Sequence, residues 1–294
     1  MIILSLNNVI KFNKLRYSVF SFGNSLLFPI LFLHNPCMMN PLTLRGCMTP
    51  FWIALQFLTI LPIDLKVMPS AKQNGQALLF YPLVGLLLGG ILFASSMLLV
   101  KLPIILSAAL ILVIWIWLTG GLHLDGLADT ADAWVGGFGD SERTLNIMKD
   151  PACGPIGVLS LVVVCLLKFV ALYVLLEQQM AVFLIVLPML GRSVPLFLFL
   201  TTPYVRAQGL GRSMTDFMPK KQLCMVFVIT IALLCIFKWL GLITLLIFLV
   251  MLFYMRSLFI KRIGGITGDT VGAAIELVET GVLLSVVIAS FYII

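Results

Sequence analysis

Residues 104–137 read Ile104-Ile-Leu-Ser-Ala-Ala-Leu-Ile-Leu-Val-Ile-Trp-Ile-Trp-Leu118 and then Thr119-Gly-Gly-Leu-His123-Leu-Asp125-Gly-Leu-Ala-Asp129-Thr-Ala-Asp132-Ala-Trp-Val-Gly-Gly137. The first half carries no charge and reads as a helix crossing a lipid bilayer. The second half places a histidine and three aspartates at its end. If that half is helical, Asp125, Asp129 and Asp132 follow an i, i+4, i+7 spacing and fall within an arc of roughly 60° at about 100° per residue. Three like charges on one face disfavour each other's ionised form unless a cation compensates. A divalent metal held by these three carboxylates is the expected compensation, magnesium or manganese by its preference for hard oxygen ligands. His123 lies about 160° from Asp125 by the same rule, so it joins the carboxylates only if the helix starts at Leu124.

The rest of the chain agrees with a membrane setting. Of 294 residues, 61% are hydrophobic and 11% are charged, and the mean hydropathy is +1.15. A soluble globular chain has no use for that much apolar surface. The expected class is all-α, a polytopic transmembrane helical bundle of about seven or eight spans with its acidic motif helices at the cytoplasmic side. A net charge of +7 would suit nucleic acid if the basic residues formed a face, but they are scattered through short loops, so no nucleic-acid partner is expected. The cysteines form no CxxC pair, and neither disulfides nor zinc are expected from them.

Residues 1–47 differ in character from residues 48–294, with a basic start and an apolar segment near Tyr17–Leu33. They read as a signal anchor, an extra span or translation from an upstream start, and residues 48–294 as a single integral-membrane domain. A short apolar helix is expected over Phe51–Ile63, spans over Gln76–Val100, Ile104–Leu118, Pro155–Leu176 and Met180–Leu200, a hairpin over Leu223–Leu240 and Ile243–Phe259 turning at Gly241, and a final span to Ile294. Gly85, Gly89 and Gly90 offer a small-residue face for helix contact, and Trp115 and Trp117 fit an aromatic belt. Loops 64–75, 121–152, 201–222 and 260–268 then share one side and hold nearly all the loop Lys and Arg. By the positive-inside tendency that side is cytoplasmic, in an inner membrane, with the active site facing the cytoplasm.

A second acidic motif falls on the same side, with Asp269, Glu276 and Glu279 on one helix face. Arg192 sits inside an apolar run, where a cation is costly unless an anion meets it. Lys168 either snorkels from its span or pairs with an acid. Two carboxylate clusters with Lys149, Arg192 and Arg206 suit metal-assisted phosphoryl transfer, the carboxylates holding metal and the cations neutralising phosphate.

The run His123-x-Asp-Gly-x-x-Asp-x-x-Asp132 closely resembles the signature of the cobalamin synthase (adenosylcobinamide-GDP ribazoletransferase) family. Five further stretches are similar to that family in order: Phe57–Pro62, Tyr81–Gly85, Met148–Gly157, Gly191-Arg192 with Pro203–Arg206, and Gly268–Glu276. The resemblance runs from about Met48 to Ile294; Ile60 stands where many members carry Arg. It implies that α-ribazole or its 5′-phosphate attacks the cobinamide-linked phosphorus of adenosylcobinamide-GDP and that GMP leaves, the last assembly step of the cobalamin nucleotide loop. On that reading Asp125, Asp129 and Asp132 grip the metal, a carboxylate or His123 takes the hydroxyl proton, and Lys149, Arg192, Arg206, Asp269 and Glu276 bind substrate. The expected partners are these two substrates and the lipid bilayer, with homo-oligomerisation left open.

Two rivals belong beside it. A CDP-alcohol phosphatidyltransferase-like enzyme uses paired aspartates, but it wants Asp-Gly-x-x-Ala-Arg, and Asp125-Gly126 is followed by Leu-Ala-Asp. A cation or solute transporter would place its acids near mid-membrane, whereas these cluster at span ends.

Overall fold

Glycines on one helix and a proline on another set a close backbone contact in the bundle. In the computed structural model, which describes residues 48–65, 68–207 and 209–293, helix α1 covers Thr49–Leu58, α2 Ala71–Ala77, α3 Tyr81–Leu98 and α4 Ile104–Thr119. Next come α5 Leu122–Gly136, α6 Ser141–Ile147, α7 Pro155–Glu177, α8 Phe183–Thr201, α9 Leu210–Phe217, α10 Lys220–Ala232, α11 Lys238–Ile263 and α12 Gly268–Ile293. The expected anchor or extra span over residues 1–47 lies outside the described residues.

Helix α8 is the central post, buried along nearly its whole length. It carries Pro188 inside the helix, which removes the N–H that would have met the carbonyl of Leu184. Helix α3 comes in against that spot. A Cβ at Gly89 would lie 2.2 Å from the Ile185 oxygen and 2.6 Å from the Leu184 oxygen, and one at Gly85 would lie 2.5 Å from the Pro188 oxygen. Only glycine lets the backbones approach that far, so Cα–H groups face carbonyls where side chains would otherwise intervene. Gly90 has open space around it and takes no part.

Helix α7 is the opposite case. Val158, Leu159, Val162, Val163, Leu166 and Val170 are all exposed on it, an apolar face suited to a lipid surrounding.

The stretch Lys220–Ile263 is long enough for two crossings, and it is a hairpin. Phe237 packs on Phe183 with ring centroids 4.4 Å apart, Phe227 packs on both Phe197 and Phe248, and Phe253 returns to Phe197 at 5.1 Å. The reversal falls at Lys238, whose φ is 52°, three residues before the expected turn at Gly241. Gly241 instead lies in the first turn of α11, against the Leu234 carbonyl.

By length and composition, five described helical segments can cross a membrane, or six if the bent pair α4–α5 is one span; the α10–α11 hairpin makes one of those segments a double rod. The expected seven counted that hairpin as two spans and the α4 run as one, and the short α1 was the eighth. The chain is a multi-pass helical membrane protein.

Helix α5 departs from the bundle axis by an 87° bend after α4. Two glycines in left-handed conformation make the corner, Gly120 at φ 61° and Gly121 at φ 67°, where other residues are strained. The histidine-and-aspartate helix therefore lies across the bundle instead of continuing down it.

Candidate active site

Helix α5 crosses α12 where both are thin. A Cβ at Gly126 would lie 2.8 Å from the Asp269 oxygen, and one at Gly272 would lie 3.4 Å from the His123 Cα. This crossing sets Asp125 beside the first turn of α12. That turn is closed by Thr267 and Thr270, whose hydroxyls accept each other's backbone N–H at 3.2 and 2.8 Å, a reciprocal cap in the manner of a capping box.

Arg206 reaches the same point by a separate route. Two loops pair as a parallel bridge at Tyr204 and Ile266, with Val205 N–H donating to Ile266 at 2.9 Å and Ile266 N–H donating to Pro203 at 2.8 Å. Their pairing brings the Arg206 guanidinium to the Asp269 carboxylate at 2.5 Å. Burial pushes the neighbouring Tyr204 phenol up.

His123, Arg192 and Glu276 meet elsewhere, inside the bundle. The ammonium of Lys168 donates to Glu276 at 2.5 Å and to Glu279 at 2.9 Å and stands 4.7 Å from the Trp115 ring centre. Arg192 Nη1 donates to the other oxygen of Glu279. Two cations and two carboxylates cancel, which is how ionised groups persist in an apolar bundle. Trp115 is therefore a buried floor for Lys168 and not part of an aromatic belt; Trp117, two residues on, is exposed. Sequence reading left Lys168 between two roles and placed Glu279 only in the second acidic motif; the structure makes it the link between Lys168 and Arg192.

His123 is buried on the side of α5 turned to this network, because the helix already starts at Leu122. The helical-wheel objection holds: the histidine and the aspartates face opposite ways. Its Nδ1 and the Nε and Nη2 of Arg192 have no hydrogen-bond partner among the described residues. Lys149 is exposed in the loop before α7.

The three aspartates do not act as one group. Both Asp132 oxygens accept backbone N–H groups, from Gly154 at 2.7 Å and Gly157 at 2.8 Å. Among the described residues no three His, Cys, Asp or Glu side chains converge as metal ligands. Asp125, half-buried, and Asp129, buried, remain on the face away from His123. Two carboxylates are enough for magnesium, which fills its shell with waters and substrate phosphate oxygens in preference to an all-protein cage.

The far end of the α5–α6 unit is pinned too. Arg262, at the end of α11, donates to the Trp134 carbonyl at 2.5 Å and to Thr144 Oγ1 at 3.1 Å, and lies over the Trp134 ring.

Asp125, Asp129 and the Arg206–Asp269 pair stand together where α5 meets α12 in a helical membrane bundle, a set of carboxylates and a guanidinium suited to an integral-membrane transferase of phosphorylated groups. Residues 50–287 match the cobalamin-5-phosphate synthase family, and the chain belongs to that family. It is 64% identical over 247 residues to an adenosylcobinamide-GDP ribazoletransferase of Acinetobacter baumannii, covering 84% of this chain and 100% of that protein. It is 53% identical over 238 residues to the enzyme of that name from Pseudomonas fluorescens, covering 81% and 98%. No solved structure matches the chain at a significant level.

Proposed function

We propose that this protein joins α-ribazole, or its 5′-phosphate, to the cobinamide-phosphate portion of adenosylcobinamide-GDP and releases GMP. The observation that carries this reading is the family match over residues 50–287, which contains every residue of the site. The nucleophile's hydroxyl oxygen bonds to the phosphorus on the cobinamide side, the bond to the GMP phosphate breaks, and the hydroxyl proton passes to a carboxylate of the Asp125–Asp129 pair. Little covalent participation is needed from the protein. Its work is orientation and charge.

Arg206 and Lys149 bind diphosphate oxygens; for Arg206 this means exchanging Asp269 for phosphate. Asp125 and Asp129 are the residues that would hold magnesium. When bound, that ion offsets charge developing on the diphosphate. Arg192 and Glu276 belong to the buried network that begins about two turns into α12, and they support the site from below. The short helices, helix ends and loops between the spans on the expected cytoplasmic side carry Lys72, Arg143, Lys149, Arg212, Lys220, Lys221 and Lys261, which supports an inner-membrane enzyme with its site on the cytoplasmic side.

The test is GMP release by the purified full-length protein from adenosylcobinamide-GDP, with α-ribazole or its phosphate, with and without magnesium. Turnover is expected with magnesium. No turnover with either nucleophile, alongside exchange with a CDP-alcohol, would replace this reading with the phosphatidyltransferase one.

A further inference from the structure

Helix α7 starts without a cap of its own. Its N-cap residue is Gly154, which offers no side chain, and Pro155 comes at the first helical position, with no N–H to satisfy. A helix start leaves backbone donors unmet, and a capping box meets two of them, at the N-cap and three residues on, from its own side chains. In α7 the same two donors, Gly154 N–H and Gly157 N–H, are met by one carboxylate reaching over from α5, at 2.7 and 2.8 Å. The positive end of α7 also compensates the carboxylate's charge.

The fit requires both glycines. A Cβ at 154 would lie 2.6 Å from Asp132 Oδ1, and one at 157 would lie 2.4 Å from Oδ2. With both oxygens taken, the compensation that three crowded carboxylates seemed to need comes, for Asp132, from a helix start.

We propose that Asp132 is a positioning residue that fixes the roll of α5 by capping α7, and that it touches neither substrate nor metal. Helix α5 is held near its start by the Gly126–Gly272 crossing with α12. Arg262 holds the far end of α5 by the Trp134 carbonyl and ring, and on the face turned to α7 the Asp132 cap is the polar attachment that sets which way the carboxylates point. Asp132 projects about 20° from Asp125 and about 60° from Asp129 around that axis. Any roll that draws Asp132 off the α7 amides therefore swings both remaining carboxylates away from the diphosphate. This role rests on the reaction proposed above.

The experiment compares Asp132→Asn, Gly157→Ala and Asp129→Asn in the full chain in nanodiscs. Asp132→Asn keeps the size and one acceptor, so it remains usable if Gly157→Ala fails to fold. Backbone hydrogen exchange at residues 154–158, measured without substrate, is expected to quicken about tenfold or more in Asp132→Asn and Gly157→Ala and to stay at the wild-type rate in Asp129→Asn. The turnover number is expected to fall about tenfold or more in the first two, with the KM for adenosylcobinamide-GDP and the half-saturating magnesium concentration within about twofold of wild type.

Gly157→Ala displaces the Asp132 carboxylate without removing it, so an unchanged half-saturating magnesium concentration in both variants is what separates positioning from coordination. A tenfold or larger rise in either concentration for Asp132→Asn, with exchange unchanged, would overturn the proposal. So would full turnover by Gly157→Ala despite fast exchange. An inactive wild-type protein would sink the reaction instead, while the exchange rates still decide whether Asp132 caps α7.

Discussion

Glu279 passes so close to Gly191 that a Cβ there would lie 2.3 Å from its carboxylate oxygen, and through that gap it accepts a hydrogen bond from Arg192. The glycine beside the arginine is what lets the ion pair form in the middle of the bundle. Lys168→Met leaves two carboxylates to share one guanidinium, and a cost of about 3–5 kcal/mol is expected from the unmatched buried charge. Lys168→Met with Glu279→Gln removes one charge of each sign and is expected to recover at least half of that loss. Thermal unfolding of the detergent-solubilised variants reads this directly; a double variant no more stable than the single one would mean that charge balance is not what holds the network.

Gly89→Ala is expected to destabilise the protein by about 1–3 kcal/mol, since the added methyl meets two carbonyl oxygens and the helices must separate. Gly90→Ala, one residue on with open space around it, is expected to be neutral or stabilising by up to about 1 kcal/mol through helix propensity. Equal losses at the two positions in the same unfolding assay would contradict the α3–α8 contact.

Asp125→Asn and Asp129→Asn are each expected to lower GMP release by about 10²–10³-fold, the scale of losing a preorganised charge at a reacting phosphate. Glu142→Gln, an exposed acid on α6, is the control and is expected to stay within about twofold. Magnesium-dependent release left intact in Asp129→Asn would remove that residue from the site.

Arg206→Lys is expected to raise the KM for adenosylcobinamide-GDP about tenfold, because an ammonium cannot supply the paired N–H fork of a guanidinium to phosphate. Asp269→Asn frees Arg206 from its carboxylate partner, and a lower KM is expected. Unchanged KM values in both variants, from initial-rate measurements, would show that Arg206 does not meet the substrate.

Cys153 lies exposed beside the Asp132 cap, so a variant keeping only this cysteine reports the orientation of the site. Labelling by a membrane-impermeant maleimide is expected in inside-out vesicles and not in intact spheroplasts. The reverse pattern would place the acidic motifs outside the cytoplasm.

Much of the fold was legible because hydropathy acts along the chain. The runs over Gln76–Val100, Pro155–Leu176 and Met180–Leu200 each correspond to a described helix, since backbone groups in lipid must pair within their own segment. The 87° corner was less legible: Gly120 and Gly121 read as a helix end, not as a turn that lays α5 across the bundle. The Lys220–Ile263 reversal was read as a hairpin but placed at the glycine, whereas ring packing puts it at Lys238.

The sequence by itself determined that this is a helical membrane protein, that three aspartates follow the end of an apolar run, and that its motifs are those of the ribazoletransferase family. Those are properties of composition, spacing and order. Tertiary structure alone decided which acids work together. Asp125, Asp129 and Asp132 are equivalent on a helical wheel, yet the start of α7 claims Asp132, while Glu279, which shares a helix face with Asp269, ties Lys168 to Arg192 instead. A helical wheel gives the direction of a side chain but not what stands opposite it, and that is fixed only when separate helices pack.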